Sequence, residues 1–208
     1  DANAIRSNEW LTADCKKAVI SPDRTIHGIC VENGENIRID VAFPVMHGKN
    51  GEDGTMQGLL EISGIPYVGC NTAASAICMD KAVTNAMADF HGIPQAKWTA
   101  FDKYAYSGDK AAVLTAAAEK LGFPIFVKPA NAGSSVGNKK EKNITELEAA
   151  CEKAFEHDTK VVLEEGIIGV EVECAVMGNN EPVASVVGEV VPCNEFYDYD
   201  AKYLANES

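Results

Sequence analysis

Arginine is almost missing from this chain: the 208 residues hold Arg6, Arg24 and Arg38, and none after position 38. That excludes a bidentate guanidinium grip on phosphate or carboxylate over the rest of the chain, so any anion held there must be held by lysine. No apolar run approaches the roughly 20 residues a membrane-spanning helix needs. No Cys-x-x-Cys pair occurs among the seven cysteines, at positions 15, 30, 70, 78, 151, 174 and 193. Their odd number and apolar settings argue against a disulfide framework or zinc site; they predict small buried hydrophobes in a reducing compartment, with the cytosol as the expected location. Net positive charge is missing too. A formal charge of −13 disfavours nonspecific binding to nucleic acid or anionic lipid, so an anionic ligand needs a local lysine cluster.

What the chain does have is an ordinary globular composition, 46% hydrophobic and 24% charged, enough for one or two cores. Its most informative stretch is Phe123-Pro-Ile-Phe-Val-Lys128-Pro-Ala-Asn-Ala-Gly133-Ser-Ser-Val-Gly137. The apolar run reads as a buried strand ending at Lys128, and the loop after it is small, flexible and rich in hydroxyls. Glycines let a backbone approach a ligand closely, Ser134 and Ser135 add donors, and Lys128 adds positive charge, which together suit a phosphate. Two other readings use the same residues. Gly133-Ser-Ser135-Val-Gly137 fits a serine-hydrolase elbow, with the adjacent His157 and Asp158 as the nearest partners, but an elbow needs a well-packed helix directly after it, and Asn138-Lys-Lys-Glu-Lys-Asn143 is too polar for that. A plain glycine-serine hairpin turn that binds nothing is the other.

Along the chain, strands and helices alternate in the manner of an α/β protein. Strands are expected at Ile39–Val45, Tyr67–Val68, Phe123–Lys128, a return strand after the Gly-Ser loop, Lys160–Glu164, Val170–Met177 and Val183–Val191. Helices are expected at Met56–Ile62, stopped by Gly64, at Ala73 to about Phe90 with a break near Met79-Asp80, at Ala111–Leu121, and from a capping box Thr145-x-x-Glu148 to about Phe155. A strand, loop, strand, helix, strand order departs from a P-loop, so the phosphate grip should lie on a sheet hairpin.

Five blocks, His47-Gly48-Lys-Asn-Gly-Glu52-Asp53-Gly54, Met79-Asp80-Lys81, Lys128-Pro-x-x-x-Gly-Ser-Ser-Val-Gly137, Glu164-x-x-x-x-Gly-x-Glu171 and Phe196-Tyr-Asp-Tyr-Asp-Ala-Lys202-Tyr203, resemble in order and spacing the D-alanine–D-alanine ligases of the ATP-grasp superfamily. The resemblance spans about Asp40 to Tyr203 and implies an α+β ATP-grasp fold. It divides the chain into an N-terminal substrate-side α/β domain (1–80), a central ATP-grasp subdomain (81–171) and the start of a C-terminal one (172–208) with a lid loop at 192–208. It also implies that Lys81, Lys128 and Ser135 hold phosphate, that Glu164 takes the adenine amino group, and that Glu165, Gly166 and Ile167 read the ring edge. Glu171 takes the ribose hydroxyls. On the substrate side, His47, Glu52 and Ser134 line the pocket for the first D-alanine. In the lid, Tyr203 hydrogen-bonds toward Ser134 and Lys202 reaches the terminal phosphate.

The implied reaction phosphorylates one D-alanine with ATP and lets the amine of a second displace the phosphate, with Mg²⁺ among the phosphate oxygens. The implied partners are these small molecules and, as is common in the family, a second copy in a homodimer. The chain departs from the family at both ends: the first strand, the metal-ligand segment and an oxyanion arginine lack counterparts, so these residues are expected to be part of a longer enzyme and no metal ligand is assigned. The Tyr-Asp-Tyr-Asp-Ala-Lys-Tyr203 lid resembles dipeptide-forming ligases. The Gly-Lys-Asn-Gly-Glu-Asp-Gly and Ala-Ile-Cys-Met-Asp-Lys81 stretches are similar to the vancomycin-resistance branch, so a D-alanine–D-serine ligase stays open, as does a non-catalytic nucleotide-binding fragment.

Overall fold

The computed structural model describes Ser7, residues 15–133 and residues 139–190. These form two units, one made of the described residues up to Met46 with Asn50–Ala76, the other of His47–Lys49 with the residues from Ile77 onward.

In the first unit, β1 (Ala18–Ile20), β2 (Gly28–Val31) and β3 (Asn36–Arg38) form an antiparallel meander. The strand expected at Ile39–Val45 shrinks to a parallel bridge between Ala42 and Tyr67. Pro44 has no N–H to extend the ladder, and Val41, Phe43 and Val45 stay 60%, 73% and 73% exposed. The glycine-rich stretch 48–54 is a turn. Asp53 ties it by accepting from Asn50 N at 2.8 Å and Thr55 N at 3.0 Å, and Gly54 enters α1 (Thr55–Ser63) at φ 89°. A Cβ there would stand 2.6 Å from Thr72 O, so the turn requires glycine. Gly64 ends α1 in the left-handed conformation, as its position predicts.

α2 (Thr72–Met79) and α3 (Lys81–Phe90) are separated where expected, at Asp80, whose carboxylate caps α3 by accepting from Ala82 N and Val83 N. Then come β4 (Trp98–Asp102), α4 (Lys103–Gly108), α5 (Lys110–Leu121), β5 (Ile125–Pro129), β6 (Lys139–Glu141), α6 (Ile144–Ala154) and β7 (Lys160–Glu165). β4 and α4, of five and six residues, are too short to stand out as periodic patterns. α6 starts one cap earlier than Thr145: Asn143 accepts from Glu146 N at 3.0 Å, and Glu146 accepts from Lys142 N at 2.9 Å. Glu148, with Glu152, pairs with Lys110 instead.

The sheet runs β4-β7-β5-β6, antiparallel throughout. The expected hairpin is therefore present, with β5 and β6 paired on either side of the Gly-Ser loop. Alternation along β5 assigns its residues to two faces. Ile125 and Val127, both fully buried, join Val161 and Leu163 of β7, Leu114, Ala117 and Leu121 of α5, and Leu147, Ala150, Cys151 and Ala154 of α6 in one core. Phe126 and Lys128 fall on the opposite face, half-buried, with Val162 and Glu164 of β7 in register with them.

The two strands expected at 170–191 are each interrupted. β8 (Val172–Glu173) pairs with β11 (Gly188–Glu189), and β9 (Val176–Met177) with β10 (Val183–Ala184). Two residues between the pairings on one side face three on the other, a bulge at which Ala175 N bonds the Ser185 hydroxyl at 3.0 Å. The expectation for the cysteines needs correcting as well. Of the six described, only Cys151 is buried, while Cys15, Cys70, Cys78 and Cys174 are exposed, on faces that the described residues leave open to solvent. All six are free thiols; Cys193 lies outside the described residues. Among the described residues no helix is long and apolar enough to cross a membrane.

Candidate functional site

Register builds the site. Lys128 of β5 lies opposite Val162 of β7, and Phe126 opposite Glu164, so Lys128 and Glu164 are diagonal neighbours on the face away from the core. Their side chains meet, Lys128 Nζ lying 2.5 Å from Glu164 Oε2 at 24% and 17% exposure. Alternation puts Lys160, two residues before Val162, on that face too. α3 covers it from above: Asn85 Nδ2 donates to Glu164 Oε1 at 3.3 Å, Asp80 pairs with Lys160, and Lys81, one turn before Asn85, points to the end of β5.

There Lys81 Nζ donates to three backbone carbonyls, Ala132 O at 2.7 Å, Pro129 O at 3.2 Å and Ala130 O at 3.4 Å. Its own N–H bonds Ala130 O at 3.0 Å. Burial, and next the nearby charge of Lys128, hold the Lys81 pKa below the ordinary lysine value, with Glu164, Asp158 and Asp80 opposing. Two half-buried ammonium groups that repel each other, facing one carboxylate, form a site that an added anion would relieve. Asp80 is acidic beyond the usual range: burial raises its pKa, but Lys160 and the α3 N–H groups outweigh that.

At the far end of β7, Glu165 accepts from Lys97 N at 2.8 Å and pairs with Lys97 Nζ at 3.3 Å, and the Lys97 N–H lowers its pKa most. Glu165 N donates to Lys97 O and Gly166 N to Pro124 O. A Cβ on Gly166 would lie 2.8 Å from Pro124 O, so the strip after Glu164 stays flat because it is glycine.

The structure thus brings Lys81, Lys128 and Glu164 together, with Glu165 next in the strand. Ile167 is 66% exposed, and Glu171 is exposed just before β8. His47 and Glu52 are exposed residues of the turn before α1. Ser134, Ser135, Lys202, Tyr203 and the lid loop 192–208 lie outside the described residues. Four contributors escaped sequence reading: Asn85, Lys160, Asp158 and Asn131. The i, i+4 spacing from Lys81 could have flagged Asn85, and the i, i+4 spacing along β7 from Lys160 to Glu164 could have flagged Lys160; nothing local signalled the other two. The hydrolase reading loses its support. The loop leads into strand β6 rather than a helix, and Asp158 is engaged by Asn131. Among the described residues no group of three or more His, Cys, Asp or Glu could hold a metal.

Residues 3–70 match the family model described as D-ala D-ala ligase N-terminus, and residues 87–208 match the D-ala D-ala ligase C-terminus. The D-alanine–D-alanine ligase of Acetivibrio thermocellus is 54% identical over 85% of this chain and 47% of its own length. That of Caldicellulosiruptor bescii is 50% identical over 91% and 53%. The chain spans about half the length of these relatives. Among solved structures, the VanG D-Ala:D-Ser ligase from Enterococcus faecalis matches at a TM-score of 0.84 and 40% identity, over 96% of this chain and 57% of the other. The D-alanine–D-alanine ligase from Coxiella burnetii matches at 0.77 and 32%, over 91% and 53%.

Proposed function

The chain belongs to the D-alanine–D-alanine ligase family and has its ATP-grasp fold, and from that premise we propose that the protein joins two D-alanines into D-alanyl-D-alanine for peptidoglycan synthesis, using ATP. The observation that carries this reading is the pair of lysines, Lys81 and Lys128, converging on one sheet face beside Glu164.

Each residue has work suited to its chemistry. Lys128 spends one of three donors on Glu164, which leaves two for phosphate oxygens; Lys81 can exchange its longer carbonyl contacts for phosphate. Glu164 accepts the adenine amino group. Because the Glu165 and Gly166 N–H groups are committed to Lys97 O and Pro124 O, reading of the ring edge falls to the strip's carbonyls and to Ile167. Glu171 takes the ribose hydroxyls, His47, Glu52 and Ser134 line the first D-alanine pocket, and Ser135 adds a phosphate donor. Lys202 and Tyr203 close over them in the lid. We retain the division at 1–80, 81–171 and 172–208, a cytoplasmic location and homodimeric assembly as parts of the same reading. Mg²⁺ would neutralise phosphate charge; the described residues supply no ligand cluster for it.

A carboxylate is a poor acyl donor, so the terminal phosphoryl of ATP passes to a D-alanine carboxylate oxygen, ADP leaves, and the amine of the second D-alanine attacks the acyl carbon and expels phosphate. The protein positions the reactants, spreads transition-state charge over lysines and keeps water from the acylphosphate. The test is ADP release by the full-length protein with and without D-alanine. Release that depends on D-alanine supports the ligase, and ATP binding without such release supports the non-catalytic module. D-serine as second substrate is a further reading, favoured by the likeness to the D-Ala:D-Ser ligase; mass spectrometry of product formed from D-alanine and D-serine together separates the two.

The depressed Lys81 pKa sets a pH dependence. Phosphate favours charged Lys81, so binding retains a proton that the free protein gives up at alkaline pH. ATP affinity should therefore fall as pH rises through the alkaline range below the ordinary lysine pKa, earlier than an unperturbed lysine would dictate. Calorimetric titrations across that range check it, and an affinity flat to the ordinary lysine range would remove Lys81 from the phosphate site.

A further inference from the structure

The stem of the Gly-Ser loop, Pro129 to Ala132, is tied at every residue. Lys81 binds the carbonyls of Pro129, Ala130 and Ala132, Ala130 N donates to Lys160 O at 2.9 Å, and Asn131 is bound to Asp158. That last tie joins residues 27 apart. Asp158 Oδ2 accepts from both the backbone N of Asn131, at 2.7 Å, and its side-chain Nδ2, at 2.9 Å. Asp158 Oδ1 accepts from Thr159 N at 2.6 Å and Lys160 N at 3.4 Å. Both oxygens of a half-buried carboxylate are thus taken by N–H donors, two from the stem and two from Thr159 and Lys160 at the entry to β7. Resting on the proposed function, we infer that Asp158 is a positioning residue of the ligase: acting through Asn131, it fixes the stem that sets where Lys128 and Lys81 meet the phosphate.

Chemistry makes the role specific to a carboxylate at this place. An amide at position 158 would present one NH₂ to a pair of N–H donors, so one pair must part, and if that pair is Asn131 the stem is released. A carboxyl group one methylene further out keeps the charge but cannot keep both pairs at bonding distance. Displacement of a phosphate-holding stem by an ångström is enough to cost a large factor in binding and rate.

The test uses the full-length protein with ATP. Asp158→Asn should raise the KM for ATP by about tenfold or more, at a temperature well below its melting point, and leave the KM for D-alanine much less affected. Asp158→Asn combined with Asn131→Asp restores the side-chain carboxylate–amide bond with the roles exchanged but not the acceptor of the residue-131 backbone N–H, so it should recover part of the loss, whereas Asn131→Asp alone sets carboxylate against carboxylate and should not. A melting temperature that falls while both KM values and kcat stay at wild type would make Asp158 a structural residue only and overturn the inference. Failure of the exchanged pair to recover any ATP affinity would overturn the route through Asn131. If the wild-type protein binds no ATP, the proposed function falls first and this inference with it; ATP binding by the wild type with no effect of Asp158→Asn sinks the inference alone.

Discussion

Replacing Lys128 with methionine in the full-length protein is expected to weaken ATP binding by about a hundredfold or more, the loss of two charge-assisted hydrogen bonds in a partly dry site. Methionine keeps an unbranched stem of similar length but removes the ammonium, so the loss reports charge rather than volume. The same change leaves Glu164, at 17% exposure, with Asn85 as its remaining side-chain hydrogen-bond partner among the described residues. A lower melting temperature should therefore accompany it. Adding Glu164→Gln to Lys128→Met removes the stranded charge, and this double variant should regain melting temperature without regaining ATP affinity. Calorimetric titration and thermal melts of both variants separate the two effects. ATP affinity at wild-type level in Lys128→Met would take this lysine out of the site.

The second large effect lies on the other face of the same sheet. Leu147 of α6 is fully buried in one core with Ile125, Val127 and Leu163, and Leu147→Ala should cost about 2–5 kcal/mol of stability, the lost transfer energy of the side chain plus the cavity it leaves. That corresponds to a melting temperature lower by roughly 5–15 °C for a chain of this size. ATP affinity measured well below the transition should change little, because Lys128 and Glu164 project from the opposite side of β5 and β7. Equal losses of affinity and stability would mean that the two faces do not act independently.

How much of this was legible depends on whether the deciding information was local. Lys128 announced itself by closing an apolar strand ahead of a glycine-serine loop, and the break near Met79-Asp80 showed in the helical pattern, although the capping role of Asp80 did not. The pairing of β5 with β6 followed from the short loop between them. The meeting of Lys128 with Glu164 did not, because it depends on Lys128 facing Val162 rather than a neighbour, and register is set by packing. The α6 cap was ambiguous by chemistry: Asn143-x-x-Glu146 and Thr145-x-x-Glu148 both have the required spacing, and the pull of Lys110 on Glu148 decides between them. Ile39–Val45 has the composition of a strand, but composition supplies no partner, and among the described residues Tyr67 alone bridges to it.

The central claim, that this chain is part of an enzyme that activates D-alanine by phosphorylating its carboxylate at the Lys81–Lys128 site, is tested most directly by isotope transfer. Full-length protein is given ATP and D-alanine whose carboxylate carries oxygen-18, and the phosphate released is analysed by mass spectrometry. The account predicts one heavy oxygen in each phosphate, left on phosphorus when the acyl carbon is attacked, with ADP and dipeptide formed in equal amounts. Phosphate that carries oxygen only from ATP and water, released at the same rate with or without D-alanine, would contradict it.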